Sequence, residues 1–387
     1  MTIHIPKIDH TQLFLHIYAA ALFAFMLGWS YKRAWGFEHG NDFSSQDRLY
    51  GADTRDMNTA VWVSPLCLPI IFLLDPVLLL ISAPNARGLS LFFEETVNFT
   101  LTTTILYALL LALMPLLRRH FSARACATAW LLPSMLCGIM AVFSPISYYS
   151  EPSLFTLDVP EVLTAALLLL WAIGFIAIFG RFLYRHLRLR RQLSRTATPE
   201  CSEDVLTIWK EEQEALHLKT PILLMRCADI RSPFSIGHTK KTRMCVLPMR
   251  AYTAHELRLI FRHELHHLRR RDTDSKLFFA FIAAFCWYNP LVWIAFRQAA
   301  DDLELSCDEV VLADADETER NCYANLILNT AAEAKGFTTC LSARASSLRY
   351  RLRGIMQTRK TSAGTLMLMT LTFLFIMCYG YIAVRII

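Results

Sequence analysis

Residues 262–272, RHELHHLRRRD, contain three histidines and one glutamate at spacings that suit a metal site. His263 and His267 are four residues apart, so both imidazoles project from one face if the segment is helical. Glu264 follows the first histidine, and an HExxH helix uses this carboxylate as a general base beside the metal. The alternative is an exposed amphipathic helix with solvated histidines. The pattern favours one half of a catalytic zinc site.

A third protein ligand is needed, because catalytic zinc sites use three protein ligands and leave one position open. We expect it to be Glu304 in DDLELSCDEVV, a segment with helical periodicity. Asp308 lies one turn further along the same face, where a carboxylate can orient a ligand imidazole through its other ring nitrogen. The spacing favours Glu304 only modestly over three neighbouring acids, namely Asp301, Asp302 and Glu309.

The segment between these motifs, KLFFAFIAAFCWYNPLVWIAF at 276–296, is apolar and long enough to span a bilayer. A straight span would put Glu304 on the opposite side of the membrane from His263 and invert the final topology. However, proline disfavours helix at the preceding residue, so Asn289-Pro290 divides the segment into halves too short to cross. A shared metal therefore requires a re-entrant or interfacial hairpin near 276–298.

The composition is that of a polytopic membrane protein, since 54% of the 387 residues are hydrophobic and only 19% are charged. The segment at 11–29 lacks a basic n-region and a small-x-small cleavage site, which favours a retained anchor over a signal peptide. Asp75-Pro76 marks either a functional intramembrane acid or a helix break with a solvated carboxylate. Spans are predicted at 11–29, 60–83, 98–117, 126–147, 162–183 and 364–384.

Basic residues predict the orientation of these spans. Arg118 and Arg119 end the third span, six arginines lie in 181–195 after the fifth, and the loop at 148–161 has no lysine or arginine. This places the N-terminus and C-terminus outside and residues 30–59 and 184–363 inside. Topology then explains the net charge of +6 better than nucleic-acid binding does. The eleven cysteines form no CxxC pair, which favours reduced thiols over disulfides.

The predicted architecture is mainly α: a transmembrane region at 1–183, a small α+β cytoplasmic domain at 184–363, and a C-terminal span within 364–387. Thr253 and Glu256 form a capping box that opens the HExxH helix, which is expected to run through residue 272 or beyond. The domain's other predicted elements are a linker at 194–204, a helix at 203–217, and strands at 221–227, 233–237 and 243–248, the last two joined by a hairpin turn.

The joined pattern of HExxH, RRRD, an apolar stretch ending near NPLVW, and ELSCDEVVL resembles the membrane-embedded zinc metallopeptidases of the BlaR/MecR type. The same logic is similar to that of CAAX prenyl proteases and other gluzincins. The resemblance covers about residues 180–384. It implies that His263, His267 and Glu304 bind Zn²⁺, that Glu264 is catalytic, and that Asp308 orients a ligand imidazole. It also implies a gluzincin-like domain on the inner face of a bacterial cytoplasmic membrane, and a cytoplasmic substrate such as a repressor of resistance genes.

Two departures shape the functional expectation. Receptors of this type carry an extracellular penicillin-binding domain after the last span, whereas this sequence ends at Ile387, so we expect sensing through the spans, their loops or a separate partner. Five predicted spans precede the domain, where the receptors typically have three. The alternatives are a quality-control protease, a non-catalytic metal-binding transducer and, with little support beyond Asp75, a transporter. Self-cleavage at 194–204 or 313–318 is equally compatible with the sequence.

Overall fold

The computed structural model describes residues 10–38, 86–136, 155–157, 159–216, 218, 222–237, 242–333, 341–357, 362–378 and 384–386, with short pieces at 69–70, 72–74 and 81. The predicted span at 60–83 lies mostly outside these residues, as do Asp75 and the second half of the predicted span at 126–147.

The described elements follow in chain order. The helices are α1 (His10–Glu38), α2 (Ala86–His120), α3 (Ala123–Ala129), α4 (Glu161–Thr196), α5 (Glu203–Ala215), α6 (Ala254–Arg270), α7 (Asp272–Phe285), α8 (Pro290–Val311), α9 (Glu317–Glu333), α10 (Leu341–Met356) and α11 (Thr365–Cys378). The strands are β1 (Phe155–Leu157), β2 (Thr198–Pro199), β3 (Leu223–Cys227), β4 (Phe234–Ile236), β5 (Met244–Pro248) and β6 (Val384–Ile386).

Three of the described helices, α1, α2 and α4, are long and apolar enough to cross a membrane. They contain the spans predicted at 11–29, 98–117 and 162–183. Helix α11, in the predicted span 364–384, is apolar but has only 14 described residues. It runs antiparallel to α1, because His16 contacts the carbonyl of Ile376 and Tyr31 donates to that of Ala363, both at 2.7 Å.

We call the helices α1, α2, α4 and α11 the membrane bundle. On one side of this bundle, the C-terminal ends of α1 and α2 meet the N-terminal end of α11. Tyr31 reaches Ala363, and Ser122 and His120, at the end of α2, exchange backbone hydrogen bonds with Ser362. On the other side, β1 precedes α4 and pairs in parallel with β6 near the C-terminus. The polar domain and the basic ends of α2 and α4 therefore lie on the side of the bundle where α11 begins.

Helices α7 and α8 form a hairpin rather than one continuous helix. Asn289 caps α8 by accepting the amide of Leu291 at 3.0 Å, and Pro290 occupies the first helical turn, where its missing N–H costs nothing. Asn289 also donates to Thr104, in the middle of α2, at 2.6 Å. The hairpin tip thus lies beside the midpoint of a helix long enough to cross the membrane.

An aromatic cluster fixes α7 against the long helices. Trp171 on α4 donates to the carbonyl of Phe285 at 2.8 Å, and Phe175 packs edge-on against Phe281 with ring centroids 5.6 Å apart. Phe99 of α2 packs edge-on against Phe285 at 5.2 Å. These buried rings belong to a core shared by the bundle and the hairpin, so the hairpin is continuous with the apolar region.

The polar domain contains a four-stranded sheet in the order β2-β3-β5-β4. β3 and β5 are parallel, and β4 pairs antiparallel with β5. The prediction of a linker at 194–204 was partly wrong. This segment contains the last turn of α4 and the short strand β2, which pairs with β3. Two residues are too few to show the alternation of apolar and polar side chains that predicts a strand, and β2 is stabilised by its pairing with β3. β4 is an edge strand, and α6 packs beside it.

Candidate metal centre

Helix α6 carries the HExxH motif and begins at the predicted capping box. Thr253 accepts the amide of Glu256 at 3.2 Å, and the Glu256 carboxylate accepts the amide of Thr253 at 2.8 Å. The helix ends earlier than predicted, because Arg271 adopts a left-handed conformation with φ of 56°. This break redirects the chain into α7, which starts at Asp272.

The structure brings His263, His267 and Glu304 together. The two histidine Nε2 atoms are 3.2 Å apart. Glu304 places Oε2 3.5 Å from Nε2 of His263 and Oε1 3.6 Å from Nε2 of His267. Both imidazoles are buried, whereas the Glu304 side chain keeps 27% of its surface exposed. Helix α8 therefore presents its carboxylate to the histidine face of α6, and part of the Glu304 side chain remains exposed.

These distances fit a zinc ion. A tetrahedral site with bonds of about 2.0–2.1 Å separates neighbouring donor atoms by about 3.3–3.4 Å. The two imidazole nitrogens are 3.2 Å apart, and each lies 3.5 or 3.6 Å from a different oxygen of the Glu304 carboxylate, close to this separation. Two imidazoles and one carboxylate are also the ligand set of a catalytic zinc site with one open position. The residues present therefore fit this metal in both chemistry and spacing.

Partners of the Nδ1 atoms orient both rings. His267 donates Nδ1–H to Asp272 at 2.7 Å. Tyr323 donates its hydroxyl to Asp308 at 2.7 Å and accepts Nδ1–H of His263 at 3.0 Å. Because the Nδ1 partners act as acceptors, the proton of each neutral ring stays on Nδ1 and the lone pair of Nε2 points towards the metal position.

The electrostatics of the cluster favour positive charge between the donors, which a proton on the imidazoles supplies when no metal is bound. Burial alone would lower the pKa of His263, but hydrogen bonds with Asp308 and Glu304 raise it to about 9. Burial would raise the pKa of Glu304, yet Lys276 and His267 hold it well below its usual range. In both residues the pKa shifts towards the charged form, because opposite charges face each other across the cluster.

Two cations brace the carboxylates of α8. Arg351 on α10 donates to both oxygens of Asp308 at 2.7 Å and to Glu304 at 3.4 Å. Lys276 on α7 donates to Glu304 at 3.2 Å. Burial opposes ionisation of Asp308, but the Arg351 guanidinium keeps its pKa below the usual range. The predicted orienting carboxylate is thus an ionised group held by a two-pronged contact.

The rival ligands on α8 face elsewhere. Asp302 is bonded to Arg118, Trp130 and Tyr350. Glu309 accepts the amide of Ala123 at the start of α3. Asp301 is hydrogen-bonded to Ser347. None of the three belongs to the His263–His267–Glu304 group found among the described residues.

Glu264 is 8% exposed and follows His263 on the buried side of α6. Burial, and next the charge of Glu264, raise the pKa of the Cys245 thiol, which places the carboxylate near β5.

Sequence reasoning missed several residues that shape the centre. Asp272 follows the arginine run directly, so its distance from His267 was a readable signal. Arg270 joins α6 to α8 by donating to Ser306 at 2.6 Å, but no local motif marks it. Tyr323 and Arg351 come from α9 and α10, and only the tertiary fold brings them to the histidines.

The chain is similar to known proteins over the segment that contains this centre. A protein-family model described as BlaR1 peptidase M56 matches residues 150–355, which include every residue of the centre. The Regulatory protein BlaR1 of Bacillus licheniformis is 23% identical over 191 residues, 49% of this chain and 32% of that protein. The Regulatory protein BlaR1 of Staphylococcus aureus is 28% identical over 115 residues, 29% of this chain and 19% of that protein. The chain thus spans about a third or less of the length of these relatives.

Proposed function

Because the chain belongs to the BlaR1 peptidase M56 family of membrane metallopeptidases, we propose that it is a zinc-dependent endopeptidase acting in signal transduction at the bacterial inner membrane. The observation that carries the proposal is the convergence of His263 Nε2, His267 Nε2 and Glu304 at tetrahedral spacing. The roles of metal ligand for these three residues and of catalytic base for Glu264 are part of the proposal.

The chain's own residues supply the proton chemistry. A zinc ion held by the three donors would supply a Lewis acid that polarises the scissile carbonyl and favours ionisation of water. Glu264 accepts a proton from the attacking water and passes it to the leaving amine. Asp272 and the Tyr323–Asp308 pair keep the histidine rings in the metal-binding tautomer throughout.

The sheet offers a place for an extended substrate. β4 is the edge strand beside α6, and its residues Phe234 and Ser235 are partly exposed. An added strand would bond to its free backbone groups, as peptides do on exposed sheet edges. The bound chain would then run alongside the HExxH helix, so we expect the enzyme to cleave an unfolded segment of a protein.

We place the domain on the cytoplasmic side. The basic ends of α2 and α4 lie on the same side of the bundle as the polar domain, and the positive-inside tendency assigns that side to the cytoplasm. The two relatives are named as regulatory proteins. The substrate class is therefore a cytoplasmic protein, with a transcriptional repressor or the chain itself as the leading candidates, and the inducing signal would come through the bundle or a separate sensor.

Replacing the proposed base tests the function directly. Glu264→Gln should retain zinc and lose cleavage by about 10²–10⁴-fold, because it removes only proton transfer. Mapping of protein N-termini in cells with wild type or variant would identify the substrate and measure the loss. Glu214→Gln, the same change at an exposed position of α5, serves as the matched control. Wild-type cleavage by Glu264→Gln, or a folded wild type without zinc, would overturn the proposal.

A further inference from the structure

Asp302 lies on α8 two residues before Glu304, and its carboxylate is completely buried. Arg118 approaches both of its oxygens, with Nε 3.0 Å from Oδ1 and Nη2 2.8 Å from Oδ2. Trp130 donates to Oδ2 at 2.7 Å and Tyr350 donates to Oδ1 at 2.6 Å. Three separate segments of the chain therefore converge on one carboxylate.

These segments join the membrane bundle to the peptidase domain. Arg118 is in the last turn of α2, Trp130 directly follows α3, and Tyr350 belongs to α10. The guanidinium of Arg118 also lies over the Tyr350 ring, 4.9 Å from its centroid. We call Arg118, Asp302 and Tyr350 the Asp302 cluster. It connects the domain-side end of α2 to α8 and α10 in a single contact.

The residue after Tyr350 acts on the metal centre. Arg351 donates to both oxygens of Asp308 and to Glu304. Consecutive residues of α10 thus hold two faces of α8, Tyr350 the face towards the bundle and Arg351 the face towards the histidines. A shift of α10 along or around α8 cannot release one contact without straining the other.

A stability role alone explains this cluster poorly. Well-packed apolar residues usually stabilise a fold as much as a buried ion pair does, whereas a pair with several hydrogen bonds fixes geometry. Burial, and next the charge of Asp302, raise the pKa of Tyr350, so the phenol remains a donor throughout the physiological range. The contact is therefore directional, and it is located between the bundle and the carboxylate that faces the histidines.

We propose that the Asp302 cluster is a positioning element through which the domain-side end of α2 fixes Arg351, and through Arg351 holds Glu304 in the metal-binding arrangement. The inference rests on the proposed function and extends it to regulation. Displacement of α2 would loosen α10, free Glu304 to rotate and weaken zinc binding. The bundle and the metal centre would then be coupled by side chains that never touch the metal.

Tyr350→Phe tests this with the least disturbance, because it deletes one hydroxyl and keeps the ring under Arg118. Zinc affinity is measured on the full chain in lipid nanodiscs by competition with a chromophoric chelator. Residues that orient a metal ligand typically change metal affinity by about 10–100-fold, and Tyr350 acts one step further away, so we expect a loss of about 10-fold. Tyr31→Phe, on α1, is the matched control. It deletes a buried hydroxyl that donates to the carbonyl of Ala363 at 2.7 Å, outside the Asp302 cluster.

A second variant tests the part played by α2. Arg118→Lys keeps the charge but cannot contact both oxygens of Asp302, so zinc affinity should fall to a similar extent. Combining it with Tyr350→Phe should lose less than the product of the two single effects, as expected for one cluster. Independent, multiplicative losses would overturn the role of α2.

The unfolding midpoint of the metal-free protein separates positioning from stability. We expect Tyr350→Phe and Tyr31→Phe to shift this midpoint similarly, while only Tyr350→Phe loses zinc affinity. A wild type that binds zinc, together with an unchanged affinity in Tyr350→Phe, would overturn this inference alone. A folded wild type that binds no zinc would overturn the proposed function, and this inference with it.

Discussion

Helix α8 presents two pairs of acids on different faces, and the pairs have different surroundings. Glu304 and Asp308 face the histidines of α6. Asp302 and Glu309 face the membrane bundle, where Asp302 meets Arg118 and Glu309 accepts the amide of Ala123. The spacings of four and seven residues keep each pair on its own side of the helix.

The contrast lies in how completely the charges are satisfied. Asp302 is fully buried and is bonded by a guanidinium, an indole and a phenol. Glu304 is partly exposed, and its nearest neighbours include the Nε2 atoms of two imidazoles, each of which can bind either a proton or a metal ion. A buried acid with its donors in place is structural, whereas an acid facing other electron-pair donors leaves room for a cation. The same helix therefore holds a fully paired carboxylate towards the bundle and a carboxylate that fits a metal site towards the histidines.

The largest effects should separate the two faces. Glu304→Gln removes a proposed ligand, so zinc affinity should fall more than about 100-fold, beyond the usual loss for an orienting residue. The unfolding midpoint of the metal-free protein should fall less than in the Asp302 variant, because Glu304 is partly exposed and loses only its ion pairs with Lys276 and Arg351. Asp302→Asn should do the opposite: it leaves the partly buried Arg118 without its counter-charge and should cost up to about 3–5 kcal/mol of stability, with about a 10-fold loss of zinc affinity.

Zinc competition and chemical unfolding in mixed micelles would measure both quantities for both variants. If the losses of zinc affinity in Glu304→Gln and Asp302→Asn were proportional to their losses of stability, the two faces of α8 would not differ in function. Glu214→Gln again controls for the loss of one surface carboxylate.

A smaller effect is expected where a residue only orients a ligand. Asp272→Asn keeps the size of the side chain but weakens its preference for the Nδ1–H tautomer of His267. We expect zinc affinity to fall by about 10–100-fold. Asp274→Asn is a matched control, since Asp274 lies in the same turn and pairs with Arg271 instead. Equal zinc affinity in the two variants would show that Asp272 does not act through the ring.

The difference between the faces also explains what the sequence could predict. The histidine face is encoded by short spacings: His263 and His267 on one helix, Glu304 and Asp308 on another, and a capping box at Thr253. Each is a local pattern, and the structure places these side chains together. Their role as zinc ligands stays a prediction. The strands predicted at 221–227, 233–237 and 243–248 were local patterns as well, and β3, β4 and β5 lie within them.

The bundle face could not be predicted in this way. Asp302 was considered only as a rival ligand, because nothing near it in sequence indicates Arg118 or Tyr350. Those partners are distant in the chain, and the contact depends on how α2, α8 and α10 pack. Strand β2 was missed for a related reason, since two residues acquire strand geometry only by pairing with β3.

The smallest effect concerns Glu309 on the bundle face. Burial raises its pKa from an ordinary 4.5 to about 7, partly offset by the amide of Ala123 and by Arg270. Between these values the folded state binds the proton more tightly than the unfolded chain does. Stability therefore falls as pH rises from about 4.5 to about 7 and stays low above that.

Glu309→Gln cannot ionise but keeps an oxygen for the Ala123 amide. The variant should therefore gain roughly 1–3 kcal/mol relative to the wild type at pH 8, and little at pH 5, where both side chains are mostly neutral. Metal-free unfolding at the two pH values measures the difference, and the comparison cancels the titration of all other groups. An identical difference at pH 5 and pH 8 would show that Glu309 is ionised in the fold throughout, which would make the bundle face as charged as the histidine face.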